Sequence, residues 1–286
     1  MLITLLDLTM IKFLILTSLF ITSLQAYASS SQEIYNQLEI DFSENIYFNN
    51  ENINLHRDGT VSPYIKEVSP DYEVKNGRPL TDKQVQMLPA FEFIKFDIFE
   101  KAYSGYLKIK KSGLVKKEIL TIVDYTLHHE KRRLFVLDIK NKKVLFNTWT
   151  QHGFGSDPQR TGIATDFSNI PNSEQTSLGF ILTQETYRGM WGYSMRLKGL
   201  DTSLNSKVRS RAIVMHGAGS LSAEVATYGS MGLSAGCITL PIYESGKFYG
   251  LKDRSLNEII INKVKNGSII FSYSDKNILT ESKWLK

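Results

Sequence analysis

Two short stretches hold most of the chemical potential of this chain. In Arg211-Ala212-Ile213-Val214-Met215-His216-Gly217-Ala218-Gly219 an apolar run ends in a histidine followed by glycine. The chain's only cysteine stands 21 residues later, in Ser234-Ala235-Gly236-Cys237-Ile238-Thr239-Leu240-Pro241. A thiol attacks as its thiolate, and a nearby imidazole can take the proton, so Cys237 and His216 make a sufficient nucleophile and base. An activated thiol of this kind is expected to react with alkylating reagents below about pH 8. Gly229, Gly232 and Gly236 allow tight turns before the cysteine. The amides of Gly236 and Cys237 could then receive negative charge from a carbonyl under attack. The chemistry read from these residues is acyl transfer; the substrate does not follow from it.

Other candidates are weaker. His128-His129-Glu130 lacks the HExxH pattern and has no cysteine nearby, so it reads as solvent-facing residues at a turn. No metal and no cofactor is called for. The loop from Gly229 to Gly236 lacks the Gly-Lys-Ser/Thr that would make it a phosphate cradle.

The elements that must position the pair are mostly strands. Phe91, Ile94, Ile98, Ala102, Tyr106 and Ile109 recur at helical spacing and Gly113 supplies a stop, which predicts an amphipathic helix leading into the domain. Strands are expected over 118–124, 133–138 and 143–149, the last two joined as a hairpin, and over 177–184, 193–197, 212–216 and 268–273. Many short strands with glycine-rich connections predict a mainly β domain, a β-sandwich or barrel, behind an N-terminal helix.

Charge divides the chain further. Residues 29–88 carry ten Asp/Glu against five Lys/Arg, whereas residues 89–286 carry 18 against 28. The basic body accompanies no nucleic-acid module, so no nucleic-acid partner is expected. Residues 29–88 read as a polar, acidic, loosely structured extension, and 276–286 as a C-terminal tail. At the N-terminus, Lys12 precedes an apolar run from Phe13 to Leu24, and Ala26-Tyr27-Ala28 precedes Ser29. That pattern predicts a signal peptide over 1–28, hence export to the periplasm or cell envelope with no stable membrane anchor after cleavage. A lone thiol in an oxidising compartment needs a reason to be kept, and nucleophilic catalysis supplies one.

His-Gly-Ala followed about twenty residues later by Ser-x-Gly-Cys resembles the signature of the L,D-transpeptidases, the YkuD-like catalytic domain. The similarity extends to Arg132 through Asp138, Gln151-His152-Gly153-Phe154-Gly155-Ser156, Phe167-Ser168-Asn169, Ser177-Leu178-Gly179-Phe180 and Gly192-Tyr193-Ser194-Met195-Arg196-Leu197. It covers roughly residues 89–275. The resemblance implies that Cys237 attacks the L-to-D peptide bond of a peptidoglycan stem peptide and forms a thioester. His216 would be base and then acid, the carbonyl of Gly217 would orient its ring, and Ser234 and Gly236 would support the cysteine loop. His152, Tyr193 and Arg196 become possible substrate-binding residues. The family pattern commonly has His before Gly-Cys and Arg two residues after Cys, where this chain has Ala235 and Thr239; Arg196 or Arg211 could substitute for that arginine. Transfer to an amine, hydrolysis as an L,D-carboxypeptidase, hydrolysis of another peptidoglycan amide and an inactive wall-binding module remain open, as does the oligomeric state.

Overall fold

The computed structural model describes residues 26–27, 29–43, 93–221, 231–242 and 255–286. All of the expected signal peptide at 1–28 except residues 26–27, and most of the extension up to residue 88, lie outside the described residues. Among the described residues, no helix is long and apolar enough to cross a membrane.

The extension begins with a helix, α1 (residues 29–42), where the polar composition predicted loose structure. Three of its apolar residues share one face: Tyr35, Leu38 and Phe42 are buried, at the spacing of successive helical turns, whereas Ile40 is exposed. The Tyr35 hydroxyl donates to the Ile94 carbonyl at 2.8 Å, and its ring meets Phe93, Phe96 and Phe99. Asp41 accepts the amide of Val144 at 2.8 Å, satisfying a donor on a strand that ends the sheet.

The predicted amphipathic helix is α2 (Phe96–Lys111), which buries Ile98, Phe99, Ala102, Tyr103, Tyr106 and Ile109. Gly105 lies on the same face because a Cβ there would come within 2.1 Å of the Phe180 ring. Only a bare backbone lets helix and sheet approach that closely.

Among the described residues eight strands follow: β1 (Ile119–Asp124), β2 (Leu134–Asp138), β3 (Lys143–Thr148), β4 (Gly179–Gly189), β5 (Gly192–Gly199), β6 (Val214–Ala218), β7 (Ile238–Pro241) and β8 (Ile269–Tyr273). They form one sheet in the order β3-β2-β1-β8-β4-β5-β6-β7. The β1/β8 and β6/β7 pairs are parallel and the rest antiparallel. The continuous apolar character of Leu134-Phe135-Val136-Leu137 and Ile269-Ile270-Phe271 reflects burial on both faces.

The two ends of this order are drawn together. Gln151 N donates to Thr239 Oγ1 at 3.0 Å, Ser234 N to the His152 carbonyl at 2.8 Å, and Phe154 N to the Ser234 carbonyl at 2.7 Å. The chain leaving β3 thus lies along the chain entering β7, and the sheet becomes a nearly closed barrel. Of the expected sandwich or barrel, the barrel is what the strands make.

Among the described residues, one strand and one α-helix of the body had no sequence expectation. Strand β7 is only Ile-Thr-Leu-Pro, too short for a period to register. Helix α3 (Leu256–Val264) contains Ile259-Ile260-Ile261, a run that reads as strand until its burial on one side is seen. It packs against β5, β6 and β7. The C-terminal residues, set apart as a tail, belong to the body: Ser282 Oγ donates to Asp201 Oδ1 at 2.7 Å and Trp284 Nε1 to the Leu200 carbonyl at 3.2 Å.

Candidate active site

Strand β6 sits between β5 and β7 and carries His216 at its middle. The ring is 6% exposed and its Nδ1 lies 2.8 Å from the Gly217 carbonyl oxygen. A carbonyl can only accept, so Nδ1 carries the proton and Nε2 keeps the lone pair. Burial lowers the pKa of His216, with the Gly217 hydrogen bond opposing it; the resting ring is therefore a neutral base. Gly217 has no room for a side chain, since a Cβ would meet Ile242 and Asn257 at 2.7–2.9 Å.

The turn that presents Cys237 is tied by Ser234. Its Oγ accepts the Gly236 amide at 3.1 Å and donates to the Cys237 carbonyl at 2.9 Å. Gly236 has φ +101°, a conformation that glycine adopts without strain. The Gly236 amide, expected to face an oxyanion, is thus already committed to Ser234; an O–H group two residues away captures it before any substrate can.

The Cys237 sulfur is partly buried and 3.9 Å from the Ala212 carbonyl. Burial pushes the thiol pKa up, against the opposing pull of the Val214 amide and the Arg211 charge. Together with a carbonyl that can only accept, this makes the resting group a protonated thiol. The expectation of alkylation below about pH 8 therefore meets an environment in which desolvation opposes the thiolate and the Arg211 charge favours it. The acceptor, Ala212, has φ 55°, a left-handed conformation that costs a non-glycine residue about 1 kcal/mol or more.

Cys237 and His216 line one cavity of about 690 Å³, with Gln151, Phe154, Met190 and Trp191 also in its wall. That size suits a small-molecule or peptide-end ligand. A separate cavity of about 530 Å³, lined in part by Lys101, Tyr273 and Leu279, has neither the cysteine nor a histidine in its wall and belongs to the junction of α2 with the C-terminal segment.

Trp191 and Gln151 are the residues that sequence reasoning missed. The β4/β5 hairpin tip, Gly189-Met190-Trp191-Gly192, leaves Met190 87% and Trp191 56% exposed. The Trp191 indole stacks on the His216 ring, centroids 5.2 Å apart and planes at 22°. Two large apolar residues between glycines in an exposed turn were the available signal. Gln151 Nε2 donates to Ser220 Oγ and the Met231 carbonyl, both at 2.8 Å, joining the loops on either side of the cavity.

The remaining candidates are not brought to this cavity. His152 is fully buried: Arg133 donates to its Nδ1 at 2.8 Å, while Asp157 stands 3.5 Å from Nε2. Burial and the Arg133 charge hold its pKa down at about 3. It is neutral, so its contact with Asp157 is not an ion pair. Tyr193 turns its hydroxyl to Asn262 Oδ1 at 2.8 Å, under α3. Arg196 lies on the hairpin surface, 3.5 Å from Glu185 and over the Tyr187 ring. Thr239 is buried in the barrel seam, where its hydroxyl accepts the Gln151 amide. Arg211 is nearer to the requirement for a cation. It donates to the carbonyls of Ser168 and Gln175 and to the hydroxyls of Ser177 and Ser173 at 2.7–3.2 Å. From behind the cysteine turn its charge favours the thiolate.

A family model described as "L,D-transpeptidase catalytic domain" matches residues 91–273. No curated protein matches at a significant level. Among solved structures, the chain is similar to the crystal structure of the L,D-transpeptidase (residues 123–326) from Xylanimonas cellulosilytica DSM 15894. The identity is 12%, the match covers 67% of this chain and 90% of that one, and the TM-score is 0.29.

Proposed function

Because the chain belongs to the L,D-transpeptidase catalytic domain family, we propose that it is an exported enzyme that remodels peptidoglycan stem peptides by acyl transfer through Cys237. One observation carries the reading. The Nδ1–H of His216 is fixed on the Gly217 carbonyl, which leaves the Nε2 lone pair for proton transfer in the cavity that also holds the thiol.

The proposed sequence begins with a stem peptide in that cavity. Nε2 takes the thiol proton as sulfur attacks the carbonyl carbon of the L-to-D bond. A neutral pair separates charge only at this moment, and the Arg211 charge and Val214 amide favour the forming thiolate. The Cys237 amide receives the oxyanion, since the Gly236 amide is taken by Ser234. The imidazolium returns its proton to the departing D-residue amine, the C–N bond breaks, and a thioester remains. An amine acceptor then gives a cross-link; water gives the trimmed peptide. The Gly217 carbonyl holds the ring as the carboxylate does in a Ser-His-Asp triad.

The test is mass spectrometry of purified muropeptides incubated with the full chain and with Cys237→Ala. Loss of a terminal D-residue, or a new cross-linked dimer, is expected with the parent alone. The same product profile from both proteins would refute the proposal.

A further inference from the structure

The turn between β1 and β2 contains His128, His129 and Glu130, which the acyl-transfer reading does not use. The expectation that all three face solvent is wrong for His129, which is only 9% exposed. One donor atom from each residue lies within 4.8 Å of the other two.

The arrangement of His128 fixes its proton. Its Nε2 is 3.0 Å from the Thr161 carbonyl oxygen, which can only accept, so Nε2 bears the hydrogen and Nδ1 a lone pair. The Glu130 amide donates to that Nδ1 at 3.3 Å, in keeping with this tautomer. The same Nδ1 stands 3.4 Å from the Glu130 Oε2. The Nδ1 lone pair thus holds only that long hydrogen bond from the Glu130 amide while the Glu130 carboxylate stands beside it. Beside them, the buried Nδ1 of His129 has no hydrogen-bond partner.

The surroundings hold this geometry in place. An imidazole whose second nitrogen is anchored on a backbone carbonyl is the arrangement that orients metal-binding histidines. Here the close approach depends on Gly162, because a Cβ at that position would fall 2.0 Å from His128 Nε2. The His129 amide donates to the Gly162 carbonyl at 2.8 Å, and Trp149 Nε1 donates to the Glu130 carbonyl at 2.8 Å. The turn is thus pinned from both sides.

We propose that His128, His129 and Glu130 form a binding site for a divalent transition-metal ion, with zinc favoured by the two-nitrogen, one-carboxylate donor set. Donors held about 2.0–2.1 Å from a tetrahedral ion lie about 3.3–3.4 Å apart, close to the 3.4 Å between His128 Nδ1 and Glu130 Oε2. Water completes the fourth position. The turn that holds the ion is itself tied to the loop at residues 161–162 by the His128 and His129 hydrogen bonds. The site is separate from the acyl-transfer cavity, whose wall includes none of the three residues.

Isothermal titration with Zn²⁺ tests this on the full chain carrying Cys237→Ala, so that the thiol cannot supply a ligand. One ion per chain is expected, with affinity falling at least about 100-fold in His128→Ala and in Glu130→Gln, each made in that background. Zinc should also raise the thermal midpoint of the Cys237→Ala protein but not of either double variant. Absence of binding, or binding that both double variants retain, would overturn the proposal.

Discussion

Two buried histidines, His216 and His152, have opposite fates in this fold. His216 gives its Nδ1–H to a carbonyl and keeps a lone pair on Nε2, in the wall of a cavity. His152 accepts at Nδ1 from Arg133, so its Nε2 bears the hydrogen, enclosed near Asp157. Burial makes both rings neutral. What separates a base from a structural acceptor is the partner of the other nitrogen and whether the remaining one meets open space.

The contrast breaks most sharply under substitution. His216→Ala should lower turnover about 10³-fold or more, a loss of roughly 4 kcal/mol from the transition state, with the unfolding midpoint little changed. Arg133→Leu should do the reverse. The guanidinium is fully buried and donates to the carbonyls of Thr150 and Leu127 as well as to His152. Losing it strands those acceptors and should cost about 3–5 kcal/mol in denaturant unfolding, while turnover of the protein that remains folded stays within a few-fold. If His216→Ala unfolds the chain, or Arg133→Leu leaves stability untouched, the division of roles fails.

Smaller effects sharpen the picture. Trp191→Ala removes an exposed ring stacked on His216; a three- to tenfold rise in KM is expected, in line with about 0.5–1.5 kcal/mol for an aromatic pair, with unchanged stability. The pH profile probes His216 itself. Its pKa is lowered from the ordinary 6.5 by burial, so the ring stays unprotonated to lower pH. Accordingly, the acid limb of kcat/KM should have its midpoint below 6.5; a midpoint at or above that value would mean that the imidazole is more solvated than the structure shows. For the thiol the sign is reversed: alkylation should rise only above the ordinary thiol range, because burial holds the proton on sulfur.

Much of this is legible in the order of residues alone. Helix α2 and seven strands announce themselves through period and β-branched content, and Gly113, with φ +80°, ends α2 as a stop should. His216, Cys237 and the Ser-x-Gly-Cys turn are visible as residue types at a spacing. What sequence withholds depends on through-space partners. Nothing in the chain order says that Ser234 consumes the Gly236 amide, that Tyr193 turns beneath α3, or that Arg196 spends its charge on Glu185. Helix α1 is hidden for a different reason: three buried apolar residues on a largely polar helix suffice only because Phe93, Phe99 and Phe135 await them.

The central claim is a covalent acyl-enzyme on Cys237, formed with the help of His216. Intact-protein mass spectrometry after brief mixing with a tetrapeptide muropeptide reads it directly. The parent chain should gain the mass of the donor minus the free terminal D-amino acid it releases, localised by digestion to the peptide containing Cys237. That adduct should be missing from Cys237→Ala and strongly reduced in His216→Ala. Product formation by the parent with no thioester, or an adduct of the same mass on Cys237→Ala, would contradict the account.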